Sequence, residues 1–138
     1  QFIIFPVIIC TLNYFKSNKI DSSGLLSPHS VTIPGAVDAW YEMHKKFGKL
    51  EFEKLFMTAI YYAREGFPLH EIEAFHWKKN EDKQKKNKVA KQIFLNKNKA
   101  PIFRKKFSNN QLANTLTLIA KKGAKAFYEG EIARDMVK

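Results

Sequence analysis

The stretch 31–69, VTIPGAVDAWYEMHKKFGKLEFEKLFMTAIYYAREGFPL, decides the fold class. Behind Pro34-Gly35, Ala36, Val37, Trp40, Tyr41, His44 and Phe47 recur at the spacing of one helix face. Gly48 is placed to supply a left-handed stop. A second face follows in Phe52, Leu55, Phe56, Ala59, Ile60 and Ala63, and Gly66 closes it. The link through Lys49 and Leu50 is short enough to make the two helices neighbours, antiparallel or steeply crossed. Both faces are large and apolar, and neither carries a reactive group.

Working toward the end of the chain, Phe67-Pro68 breaks the direction, and Leu69, Ile72 and Phe75 (or His76) restart a helical face that Trp77 closes. The run 78–88, KKNEDKQKKNK, reads as a solvated lysine-rich segment, without the aromatic or arginine interleaving of a nucleic-acid patch. Val89, Ile93, Phe94 and Leu95 return to apolar spacing, and 96–101, NKNKAP, is a turn. Asn109 or Asn110 suits the N-cap of a helix whose face is Leu112, Leu116, Ile119 and Ala120 and whose stop is Gly123. A short helical turn spans 124–128, and Gly130 punctuates before Ile132, Ala133, Met136 and Val137. The expectation is a mainly α structure of five or six helices with short links.

Toward the start, 1–15 (QFIIFPVIICTLNYF) is strongly apolar but interrupted by Pro6. It is short for a membrane span and lacks the basic start and cleavage site of a signal peptide. A buried pair of β-strands is the alternative. Residues 16–30 (KSNKIDSSGLLSPHS) read as an exposed loop, and 31–33 as a short strand. Beginning at Gln1 and stopping at Lys138 within a helical pattern, the chain reads as a piece of a longer protein.

A net charge of +11 admits two readings, a nucleic-acid or acidic-surface binder and a chain that uses lysine as its default solvated residue. The second is favoured because Arg64, Arg104 and Arg134 are the only arginines, and nucleic-acid readers lean on arginine. Cys10 is the only cysteine, so no internal disulfide forms, and it reads as a small buried hydrophobe. His29 has no partner at metal-ligand spacing, and His44, His70 and His76 read as partly buried structural histidines. His70-Glu71 lacks the second histidine of a zinc-protease helix. There is no G-x-S-x-G elbow, no Cys–His couple and no glycine-rich phosphate loop. Glu71/Glu73 and Glu129/Glu131 sit where helices start or end and complement their dipoles.

Several blocks carry a resemblance. T-I-P-G-A-V-D-A-W (32–40), K-F-G-K-L (46–50) and A-I-Y-Y-A-R-E-G-F (59–67) come first. Leu112-Ala113-Asn114-Thr115-Leu116, Ile119-Ala120, Gly123 and A-F-Y-E-G-E-I-A (126–133) follow in the same order. Together they resemble the large-subunit region of the γ-glutamyltransferases, or glutathione hydrolases. The resemblance implies the helical part of the large subunit of an αββα N-terminal-nucleophile hydrolase, with 31–138 as that segment and 1–30 a poorly matching start. It implies a precursor, or zymogen, that cleaves itself so that the new N-terminal threonine of a small subunit becomes the nucleophile. Glutathione or another γ-glutamyl donor forms an ester on that threonine, and water, an amino acid or a peptide accepts the group. The threonine, the oxyanion glycines and most substrate contacts would lie beyond Lys138. No catalytic, substrate-binding or metal residue is therefore assigned within this chain, which alone should be inactive, and no cofactor, nucleic acid or membrane span is expected. The large-subunit arginine that holds the substrate carboxylate has no counterpart, since no arginine precedes Arg64, and the family's glycines in and after the 96–101 turn are also missing. The resemblance implies a periplasmic or secreted location. The competing reading is a basic helical module that binds nucleic acid or a protein without enzymatic activity.

Overall fold

The computed structural model describes residues 11–22, 24, 27–31 and 34–137. Its elements are α1 (Leu12–Ser17), a 3-10 turn (Pro28–Ser30), α2 (Ala36–Phe47), α3 (Phe52–Glu65), β1 (Phe67–Pro68), α4 (Glu71–Lys79), α5 (Glu81–Lys85), α6 (Lys88–Phe94), β2 (Lys106–Phe107), α7 (Asn110–Lys122), α8 (Ala124–Tyr128) and α9 (Glu131–Met136). The mainly α expectation holds, but the described residues contain nine α-helices rather than five or six, and short helices form at 12–17 and 81–85 where strand, loop or a merely solvated run was expected. At the end of the apolar start, residues 12–17 form α1 rather than a strand, and Thr11 caps the Tyr14 N–H; residues 1–10 lie outside the described residues. Cys10, Pro6 and the expected strand at Thr32-Ile33 lie outside the described residues.

The core forms where α3 and α7 run antiparallel. Phe56, from α3, meets Ile119 and Ala120 of α7 and is joined by Val37 of α2 and Ala124 of α8. At the other end of the pair, Asn109 N–H donates to the Ala63 carbonyl at 2.7 Å. Ala63 and Ala113 are both buried there, and their small side chains let the helices approach closely. Burying Ile119, 2% exposed, contributes on the order of 2 kcal/mol by transfer alone. Asn109 is the cap expected of α7, its side chain accepting from Leu112 N–H at 2.9 Å.

Gly66 (φ 84) and Gly123 (φ 68) are the positive-φ stops foreseen for α3 and α7. Gly48 is not: its φ of −69 and ψ of 136 are extended. Space is its reason, since a Cβ there would collide with the ring and carbonyl of His44. The contact between α2 and α3 is concentrated near their link, where Phe52 meets the Tyr41 ring at 5.2 Å and the His44 ring at 5.1 Å.

The second departure is at Phe67-Pro68. Instead of merely breaking direction, these residues pair antiparallel with β2, Phe67 opposite Phe107 and Pro68 opposite Lys106. Leu69 continues the stitch, donating to the Lys105 carbonyl and accepting from Arg104 N–H, and becomes 1% exposed. The expected helical face of Leu69, Ile72 and Phe75 therefore does not exist. Leu69 precedes α4, whereas Ile72 and Phe75 are 61% and 64% exposed. Trp77 turns inward instead, 4.6 Å from the Phe107 ring and 5.9 Å from Phe94.

Much of the apolar surface is uncovered. Trp40, Met43 and Phe47 of α2, Leu50 of the link and Leu55 of α3 are all exposed. No helix among the described residues is long and apolar enough to cross a membrane.

Candidate functional site

The histidines and paired carboxylates singled out in the sequence are scattered along the described residues rather than gathered at one place. His44 shares a hydrogen bond with the Leu50 carbonyl at 2.6 Å, which fastens the α2–α3 link, and is half-buried as expected. His70 and His76 are exposed, contrary to expectation. His70 lies ahead of α4 as its N-cap, accepting weakly from Ile72 N–H at 3.5 Å, and no apolar face forms around either. His29 meets the Tyr14 hydroxyl at 3.4 Å and the Ser27 hydroxyl at 3.0 Å. Glu71 and Glu73 lie in the first turn of α4, Glu131 in that of α9, and Glu129 beside Lys125. Among the described residues no group of three or more histidine, cysteine or acidic side chains could hold a metal ion.

Polar contacts join the earlier and later blocks that carry the resemblance: Arg64 donates to Asn114 Oδ1 at 3.4 Å, and Tyr128 reaches the start of α2. The N-cap of helix α2 is Gly35, which has no side chain to satisfy the first-turn N–H groups. Tyr128 supplies the missing cap from the far end of the chain. Its hydroxyl donates to the Pro34 carbonyl at 2.6 Å and accepts from Asp38 N–H at 3.1 Å. Helix pattern could not reveal this, because the cap is not local to the helix it closes.

A second polar centre lies in the run read as merely solvated. Glu81, only 8% exposed, accepts from Ala100 N–H at 2.9 Å, from Lys85 at 2.8 Å and from Lys78 at 2.9 Å. The Ala100 N–H, then the two ammonium groups, hold its carboxyl well below the usual range, lowered to about 2. The same contact raises Lys85. So acidic a carboxyl is a poor proton acceptor at neutral pH, and Glu81 serves as a clamp between α5 and the chain at Ala100.

That clamp borders a groove of about 570 Å³ between the 93–101 segment and β2. Phe94, Leu95 and Phe107 contribute apolar wall, and Lys97, Lys99, Lys105 and Lys106 line it as well. The turn above it closes through Asn96 N–H to the Lys99 carbonyl (2.9 Å) and the return bond (3.0 Å). Lys97 (φ 49) and Asn98 (φ 65) take the left-handed conformation in this turn, and Arg104 (φ 63) does so in the following link.

Known proteins resemble the chain along most of its length. The family model described as gamma-glutamyltranspeptidase matches residues 9–138. The Glutathione hydrolase-like YwrD proenzyme of Bacillus subtilis is 36% identical over 108 residues, 78% of this chain and 21% of that protein. The capsule biosynthesis protein CapD proenzyme of Bacillus anthracis is 30% identical over 128 residues, covering 93% and 22% of the two chains. Among solved structures, the Helicobacter pylori gamma-glutamyltranspeptidase superposes with a TM-score of 0.77 at 28% identity, over 86% of this chain and 33% of that one. The cephalosporin acylase of Bacillus halodurans gives 0.78 at 31%, over 91% and 25%. The chain thus spans about a fifth of the length of its first curated relatives. Over that span, the sequence blocks and the helical layer agree, and the chain belongs to the gamma-glutamyltranspeptidase family.

Proposed function

We propose that residues 31–138 are outer helical cladding of the large subunit in a γ-glutamyltransferase or glutathione hydrolase precursor. Residues 1–30 form its less typical approach. The whole protein would split γ-glutamyl amides such as glutathione through the N-terminal threonine of a small subunit and pass the group to water, an amino acid or a peptide. The observation that carries this reading is the uncovered apolar face of Trp40, Met43, Phe47 and Leu50 in a chain matching the family over 9–138. Such a face is large enough to demand a partner surface. The rest of the same precursor supplies it, and the nucleophile with it. Relatives are named both as glutathione hydrolases and as a cephalosporin acylase, so the donor is a property of the remainder rather than of these helices. Export to the periplasm or exterior belongs to the same reading.

The test assays the 138-residue chain and the longer reading frame on a γ-glutamyl anilide. The longer protein is expected to cleave itself into two subunits and release the aniline. The 138-residue chain is expected to release none. Turnover by the short chain alone overturns the proposal.

A further inference from the structure

We propose that the groove between the 93–101 segment and β2 docks an acidic peptide segment that inserts an aromatic or branched apolar side chain. Its lining contains four lysines, Lys97, Lys99, Lys105 and Lys106, and no acidic residue. None of the four has an ion-pair partner among the described residues, whereas Lys78 and Lys85 close by both pair with Glu81, and Lys85 with Asp82 as well. The positive charge is therefore concentrated on the groove and left uncompensated there. Charge complementarity selects an acidic occupant.

The wall selects a peptide over a nucleic acid. Phe94 and Phe107 stack on each other at 6.4 Å with an interplanar angle of 19°, and Trp77 packs against Phe107. Each of these rings packs against another, which leaves less free face on which a base could stack. Phe103, a more exposed ring nearby, is covered by its own neighbour Arg104 at 4.9 Å. What the rigid cluster offers is an apolar recess within the ~300–1,000 Å³ range of binding clefts, suited to a side chain. The strained backbone adds an independent indication. Of the four non-glycine residues with positive φ among those described, Lys97, Asn98 and Arg104 are in or beside the groove-lining segment. Backbone outliers of this kind concentrate at binding sites, where they aim particular groups.

The experiment measures fluorescence anisotropy of a labelled Glu-Glu-Phe-Glu-Glu peptide with the full-length protein. Binding is expected to weaken at least about tenfold on the double substitution Lys105→Glu and Lys106→Glu, because like charges then face each other. Lys97→Gln with Lys99→Gln, confined to the exposed turn, provides a variant whose fold is easily preserved and verified by circular dichroism. It is expected to weaken binding about threefold to tenfold by removing two of the four charges. Peptides with glutamine in place of glutamate, or without the phenylalanine, should each bind at least about tenfold less tightly. Equal binding of either control, or unchanged binding by the folded Lys97/Lys99 variant, overturns the proposal. So does a single-stranded oligonucleotide of equal charge that binds more tightly than the peptide, which would assign the groove to nucleic acid.

Discussion

The α3–α7 seam and the 78–108 lobe are fastened by opposite means. In the seam, Phe56, Ile119 and Ala120 exclude water between two long helices, and the small residues Ala63 and Ala113 set their separation. In the lobe, the helices are short and lysine-rich, and a carboxylate with three donors does the fastening. The difference teaches that apolar packing needs long facing surfaces. Where the sequence is too polar to make them, one largely desolvated carboxylate held by three donors can fix the chain instead.

The comparison can be broken most severely at the seam. Ile119→Ala should lower stability by about 3 kcal/mol, since a side chain this buried leaves a cavity between α3, α7 and α8. Urea denaturation followed by circular dichroism measures it, and a loss below ~1 kcal/mol would mean that the seam collapses around the gap.

The lobe is probed by pH. Glu81 is shifted down, to about 2 from 4.5, so its ionised form is favoured by folding. Its contribution is fully present above about pH 4.5 and disappears as pH falls toward about 2. The stability difference between the native protein and Glu81→Gln should be constant above that window and shrink within it. A difference independent of pH would remove the charge from the account. Hydrogen exchange at the Ala100 amide gives a local readout, with faster exchange expected in the variant.

The smallest effect should be a gain. Arg104→Gly relieves a left-handed residue, φ 63, where the side chain makes only an exposed contact with the Phe103 ring. The strain released, ~1 kcal/mol, is partly offset by the extra freedom of glycine when unfolded, leaving about 0.5 kcal/mol of stabilisation. The same urea series detects it, and a loss instead would show that Arg104 has a structural partner role.

Legibility in the sequence follows the same division. The faces of α3 and α7, the cap at Asn109 and the stops at Gly66 and Gly123 are local signals and legible, but that α3 and α7 pair with each other is not, since only α2 and α3 were expected as neighbours. The lobe is less readable. A two-residue strand has no period, so β1 and β2 give no pattern, and Leu69 looks helical because its spacing happens to match. Glu81 is hidden in a lysine run because its decisive donor is a backbone N–H, 19 residues away, that no side-chain pattern records. Gly48 was legible as a glycine but not in its reason, since the clash with His44 depends on the folded link. Of the groove, the residues are nearly contiguous, yet the wall exists only because Phe107 is set by pairing with Phe67. The apolar spacing of α2 was visible only in part: Val37 and Tyr41 of the expected face pack into the core, whereas Trp40 and Phe47 are exposed together with Met43, which that face did not include, and periodicity alone does not say which part a partner covers.

The hydroxyl of Tyr128 makes the order of synthesis matter. It reaches back 90 and 94 residues to Asp38 N–H and the Pro34 carbonyl. At ribosomal speeds of about 5–20 residues per second, helix α2 waits several seconds after emerging before its first turn is closed. A nascent chain halted before Tyr128 would carry a frayed α2 beside an already winding α3, so truncation near the carboxyl end should be felt first at the amino side of the helical layer.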